Sequence, residues 1–239
     1  MATVILVRHG RTTANAGGIL AGRSPGVRLD GVGREQATRT AERLAVVPLV
    51  GLVSSPLERC RQTSRVVLDR QATAPPMQVD RALTECDYGQ WQGRALGELA
   101  GEPLWSVVQN QPSAATFPGG ESLAAMQARA AAAVRRHDAA FEAAHGAGAV
   151  WAAVSHGDVI KSVLADALGM HLDLFQRITV GPASISIVRY GSSRPDVVAT
   201  NLDPGDLTWL RSAGPVGDAA VGGGAGPRPV AHDDDAARS

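Results

Sequence analysis

The chain has 239 residues, 44% hydrophobic and 19% charged, which is enough apolar surface for one sizeable core. Lysine plus arginine and aspartate plus glutamate each total 23, so no net field draws the protein to nucleic acid or to an anionic membrane. The two cysteines, Cys60 and Cys86, form no CxxC or Cys/His cluster, which argues against a structural zinc site and fits a reducing, cytoplasmic setting.

Thr3 to Val7 is β-branched and apolar and predicts a buried strand. No basic region precedes it and Arg8 ends it early, so it does not read as a signal peptide. Arg8 and His9 stand at the carboxyl end of this strand, and Gly10 gives the backbone room to turn there. Ala16 to Gly33 is Gly-rich and reads as a loop carrying Arg23 and Arg28, and a helix is expected from Gly33 to about Val46. Leu44 to Val53 is apolar but holds Pro48 and Gly51 and is far too short to span a membrane.

Val50 to Ser54 predicts the second strand. Ser55-Pro56-Leu57-Glu58 then has the pattern of a capping box with proline at the first helical position, which puts Arg59 in the first turn of a helix. A helix N-terminus favours anions, and Arg59 adds a formal charge to it. After a short strand at Met77 to Val79, Leu83 to Gly93 reads as a loop pinned by its rings and containing Glu85. Helix is expected over Leu96 to Val108, broken at Gly101 and Pro103, and again from Ser122 to about Ala144, where His137 shares the apolar stripe. A third strand, Ala149 to Val154, ends in Ser155-His156-Gly157-Asp158 and leads into a helix to Leu168. Strands follow at Ser184 to Tyr190 and Asp196 to Thr200. Residues 213–239 are rich in Gly, Pro and Asp with little to bury, and their composition predicts a disordered tail.

Strands alternating with helices imply a three-layer α/β/α sandwich around a mostly parallel sheet, and ligand sites in such sheets lie beyond the carboxyl ends of strands. Three of those ends carry Arg8-His9, Arg59 and His156, all side chains suited to phosphate. Each alone has an ordinary reading as a surface cation or hydrogen-bonded imidazole; together they point to phosphoryl chemistry.

The ordered set resembles the histidine phosphatase superfamily, also called phosphoglycerate-mutase-like. The residues that carry the likeness are Arg8-His9-Gly10-Arg11-Thr12 with Asn15, Ser54-Ser55-Pro56-Leu57-Glu58-Arg59 with Gln62-Thr63, Glu85 with Gly89, Trp91 and Gly93, Gly119-Gly120-Glu121-Ser122, and Ser155-His156-Gly157. The resemblance implies a domain over 1–212 with a small helical cap insert at about 94–122. It implies that His9 attacks phosphorus, that Arg8, Arg59 and His156 hold the phosphoryl oxygens, and that Glu85 acts as acid and then base, with His156 counted in the catalytic set. Asn15 is a further candidate for phosphate, and Arg11 and Arg23 for substrate.

Electrostatics supports these roles. A phosphoryl group in transfer spreads negative charge over its oxygens, and guanidinium forks match them. The same cations disfavour a protonated His9. Glu85 must start neutral to donate a proton, so burial among the Tyr88 and Trp91 rings is expected to raise its pKa. No metal or other cofactor is implied, because the cations are built in.

Mutase members typically carry an arginine directly after the catalytic glutamate; here Cys86 and Asp87 follow, and no basic residue lies between Arg94 and Arg129. Hydrolysis of a small phosphomonoester is therefore favoured over a phosphoglycerate or phosphosugar mutase, and a silent phospholigand-binding protein is disfavoured by the full catalytic set. The expected partner is a small phosphorylated metabolite, without nucleic acid or membrane; a homodimer is compatible with the sequence.

Overall fold

The computed structural model describes residues 2–191, 193–203 and 221–224. The elements in chain order are β1 (Thr3–Arg8), α1 (Thr13–Ala16), α2 (Gly31–Leu44), β2 (Leu52–Ser54), α3 (Glu58–Leu68), β3 (Met77–Val79), α4 (Leu96–Leu99), α5 (Pro103–Asn110), α6 (Leu123–His145), β4 (Val150–Ser155), α7 (Gly157–Ala167), β5 (Ile185–Tyr190) and β6 (Pro195–Leu202).

Six strands form one mixed sheet in the order β3-β2-β4-β1-β5-β6. The pairings β3–β2, β2–β4 and β4–β1 are parallel, whereas β1–β5 and β5–β6 are antiparallel. The apolar alternation of the strands feeds two cores. Val4, Leu6, Val53, Trp151 and Ala153 face α6 and α7 on one side. Ile5, Val7, Leu52, Ala152 and Val154 face α2 and α3 on the other, against Ala41, Leu44, Cys60 and Val67. Successive side chains of a strand point to opposite faces, so a sheet buried on both sides needs this near-continuous apolar sequence. The insert folds as α4 and α5 and joins the first core through Leu99 and Val108. Trp105 of α5 stacks on Trp91, with ring centroids 6.2 Å apart.

Three local expectations change. α2 begins at Gly31, not Gly33, because Asp30 is its N-cap: the carboxylate accepts the Gly33 N–H at 2.7 Å. α3 begins at Glu58 with Leu57 as an N-cap that supplies no side-chain bond, so the capping box at Ser55 does not form. The Ser55 hydroxyl lies 2.7 Å from His156 Nε2, and locally it accepts only the Leu57 N–H, at 3.4 Å. Within 213–239, Val221–Gly224 packs at the carboxyl edge of the sheet and Val221 enters the first core; the rest of that segment lies outside the described residues, as do 204–212 of the expected domain.

Gly10 serves the packing of this edge. A Cβ there would overlap the carbonyl oxygen of Gly33, and a Cβ on Gly33 would overlap that of Arg11. The loop after β1 and the first turn of α2 are thus in backbone contact, which both glycines permit. We expect Gly33→Ala to cost about 1–3 kcal/mol through overpacking. Denaturant unfolding would measure this, and an unchanged midpoint would refute the close approach.

Candidate active site

Register brings the site together. Arg8 pairs with Ser155 and Ser54 with Val154, so the carboxyl ends of β1, β4 and β2 are level. The ladder runs one step further: His9 N–H donates to Ser155 O and Ser55 N–H to Val154 O, both at 3.0 Å. His156 caps α7 directly after β4, and Arg59 projects from the first turn of α3.

His9 is 3% exposed. Its Nδ1 lies 2.8 Å from the Gly10 carbonyl oxygen, and because a carbonyl only accepts, the proton sits on Nδ1. Nε2 then carries the lone pair, and Arg59 Nε–H donates to it at 3.2 Å. Arg59 is itself fixed by Nη2 donating to Gly22 O at 2.7 Å. Burial, then the Arg59 and Arg8 charges, hold the His9 pKa well below its ordinary value. The result is a neutral imidazole with one nucleophilic nitrogen beside a cation.

Arg8 is fully buried and donates from Nη1 to Val180 O at 2.8 Å. Burial lowers its pKa to about 10, which leaves it charged at neutral pH. The His156 ring lies 5.2 Å from that of His9 and is also held neutral, by burial and then Arg59.

Glu85 is 3% exposed and its pKa is pushed up to about 7, first by burial and next by the Asp158 carboxylate. Burial raises it as the sequence leads one to expect, and Asp158 adds a cause that no local pattern signals. Asp158 is buried at the first turn of α7, accepts the Tyr88 hydroxyl at 2.7 Å and faces Lys161 Nζ at 3.6 Å.

Arg23 donates from Nε to the Glu85 carbonyl oxygen at 2.9 Å, and Arg129 Nη2 donates to the same oxygen at 3.2 Å. Glu121 accepts from both guanidiniums and from the Asp87 N–H. No sequence pattern marks Arg129, and Glu121 is marked only by its place in Gly119-Gly120-Glu121-Ser122; together with Arg23 they fix the backbone that presents Glu85.

The cavity is lined by His9, Arg59, Glu85, Tyr88, Thr12 and Asn15, with Ile19, Leu20, Leu96 and Val221 among its apolar walls. Asn15 therefore reaches the site, although its Oδ1 accepts the Thr12 N–H at 3.1 Å. Arg8 and His156, candidates for phosphate, are not among its lining residues, and neither are Arg11 and Arg23, candidates for substrate contact: Arg11 pairs with Asp30 at 2.8 Å and Arg23 with Glu121 at 2.9 Å. Among the described residues no cluster of His, Cys, Asp or Glu has the makings of a metal site, and no helix is long and apolar enough to cross a membrane.

The sequence pattern of the histidine phosphatase superfamily (branch 1) matches residues 4–203. The chain belongs to that superfamily. It is 31% identical over 195 residues to the Yersinia pestis (strain Pestoides F) protein named "Probable phosphoglycerate mutase GpmB", covering 81% of this chain and 87% of that one. Among solved structures it is similar to an alpha-ribazole phosphatase from Shigella flexneri, with a TM-score of 0.71 at 27% identity, covering 83% and 96% of the two chains. The fold is also that of a mycobacterial glucosyl-3-phosphoglycerate phosphatase complexed with VO3, with a TM-score of 0.75 at 24% identity, covering 84% and 99%. The two solved structures carry phosphatase names and the Yersinia protein a mutase name.

The electrostatics makes a direct prediction. In 15N spectra His9 Nε2 should take up no proton as the pH falls through the ordinary histidine range, because burial and then the Arg59 and Arg8 charges oppose it. A midpoint near the ordinary histidine value would refute the described environment. In Arg59→Gln the His9 midpoint should move upward.

Proposed function

We propose that the protein is a phosphomonoesterase that needs no metal and hydrolyses a small phosphorylated metabolite through a phosphohistidine at His9. The observation that carries this reading is the lone pair of His9 Nε2, held by Arg59 Nε at 3.2 Å inside a buried cavity that also holds Glu85.

In the first step the Arg59 Nε–H turns from His9 Nε2 to a phosphoryl oxygen, and the freed lone pair bonds to phosphorus as the ester P–O bond breaks. Arg59, Arg8 and His156 face the phosphoryl oxygens, and the two guanidiniums supply the positive charge that a divalent ion supplies elsewhere. The Glu85 carboxyl gives its proton to the leaving oxygen. In the second step the Glu85 carboxylate takes a proton from water, the water oxygen bonds to phosphorus, the P–N bond breaks, and inorganic phosphate leaves. The raised pKa of Glu85 serves both steps, since a general acid-base works best near the ambient pH.

The name of the Yersinia relative favours a mutase. The cavity favours hydrolysis. A mutase must hold a second acidic group of its substrate, yet Arg59 is the one arginine or lysine among the described lining residues. Buried Cys86 follows Glu85. Arg11, Arg23 and Arg28 are each paired to carboxylates. The walls at Ile19, Leu20 and Leu96 fit a neutral or modestly polar leaving group.

The test is phosphate release from para-nitrophenyl phosphate and a panel of alkyl phosphates in the presence of chelator. We expect release, an acid-labile phosphoryl label at residue 9, and about a thousandfold or greater loss in His9→Ala. Phosphoryl exchange between two phosphoglycerates without net release would show a mutase instead. On alkyl phosphates kcat/KM should fall as pH rises through about 7, because Glu85 in the free enzyme donates only while protonated. Glu85→Gln should lose about 10²–10⁴ in rate on those substrates together with that alkaline limb. A limb that persists in Glu85→Gln would assign the acid to another group.

A further inference from the structure

Four residues remote in sequence from the catalytic set stand at the mouth of the cavity. Arg8 Nη2 donates to the carbonyl oxygen of Gly224 at 2.7 Å and to that of Gly222 at 3.3 Å. The Gly222 N–H donates to Asp158 Oδ2 at 3.0 Å. The backbone of Gly222 therefore spans from a buried anion to a buried cation. Val221, 1% exposed, anchors this segment in the apolar wall. Gly222 has φ 74°, and a Cβ there would stand 3.0 Å from Leu20 Cδ1, so a side chain at this position is opposed by both conformation and space.

We propose that Val221–Gly224 is an intramolecular rival of the substrate, a backbone strap that holds Arg8 until a phosphoryl group displaces it. The inference rests on the reading of Arg8 as a ligand of phosphoryl oxygens. With the strap seated, the free space over the catalytic residues is about 20 Å³, room for roughly one water molecule. Val221, Gly222 and Gly224 line that cavity, so seating a phosphoryl group together with its leaving group there displaces the strap.

The exchange has a definite direction. Both sets of bonds have a charged donor, but a phosphoryl group also offers formally charged oxygens to the guanidinium, so an ion–ion attraction is added that the carbonyl oxygens of Gly222 and Gly224 cannot supply. A dianion therefore dislodges the strap, while a neutral or weakly charged compound does not repay the lost contacts. The strap thereby selects for the phosphate ester dianion and excludes ligands that merely match the apolar walls. Every ligand of the site binds more weakly by the fraction of molecules whose strap is open.

The test uses the full chain and inorganic orthophosphate as the probe. Gly222→Val places a β-branched side chain at a positive φ and against Leu20, which unseats the strap. If the strap is seated nine-tenths of the time, calorimetric titration should show orthophosphate binding about tenfold tighter to Gly222→Val than to the unaltered protein. Equal affinities would overturn the rivalry and leave the phosphate site standing. Weaker binding by the variant would make the segment part of the site, and would also overturn it. Absence of binding to either protein would remove the phosphate reading and the strap with it. A second measurement needs no variant: amide exchange at Gly222 should accelerate under saturating orthophosphate, and unchanged or slower exchange refutes displacement.

Discussion

Two guanidinium groups buried beside one imidazole are the constraint on which this protein depends. Arg8 and Arg59 both act to keep His9 unprotonated, and the hydrogen bond from Arg59 Nε fixes which nitrogen presents its lone pair. Burying two like charges together is costly unless anions compensate nearby. Glu85 and Asp158 supply that compensation, and they divide the work unequally. Asp158 is bonded by Tyr88 and faces Lys161, whereas Glu85 lies in a setting that raises its pKa to about 7. Glu85, about half protonated near pH 7, neutralises the two guanidiniums incompletely, which favours an incoming dianion.

The carboxyl edge of the sheet was legible because it depends on strand patterning. Apolar runs that end in Arg8-His9, Ser55 and His156 define three strand ends, and parallel pairing of β2, β4 and β1 makes them level. The antiparallel edge of β5 and β6 leaves the three parallel pairings, and with them the site, undisturbed. What sequence missed is long-range and polar. Ser55 has the local pattern of a helix cap, but His156 stands 101 positions away and takes the hydroxyl. Local rules lose at such places because a fully buried ring nitrogen left without a partner costs more than a helix end left without a side-chain cap. Arg23 sits in a Gly-rich loop where nothing in the sequence says that its guanidinium turns inward to the Glu85 carbonyl.

The tail illustrates the same limit. Its composition offers little to bury, and composition reports averages. One valine and three following glycines suffice to seat Val221–Gly224, because glycine lets backbone amides and carbonyls approach Asp158 and Arg8. The contact that orders them is electrostatic, and it exists because the catalytic edge already concentrates charge.

Lys161 is the only lysine of the chain, and it is 2% exposed under the Phe175 ring, donating to Gln176 at 3.0 Å. Surface positive charge among the described residues is therefore guanidinium. Acylating reagents and lysine-directed crosslinkers meet no side-chain amine while the fold is closed. Uptake of such a reagent at this position would count the openings of α7, and so the breathing of the helix that carries Asp158.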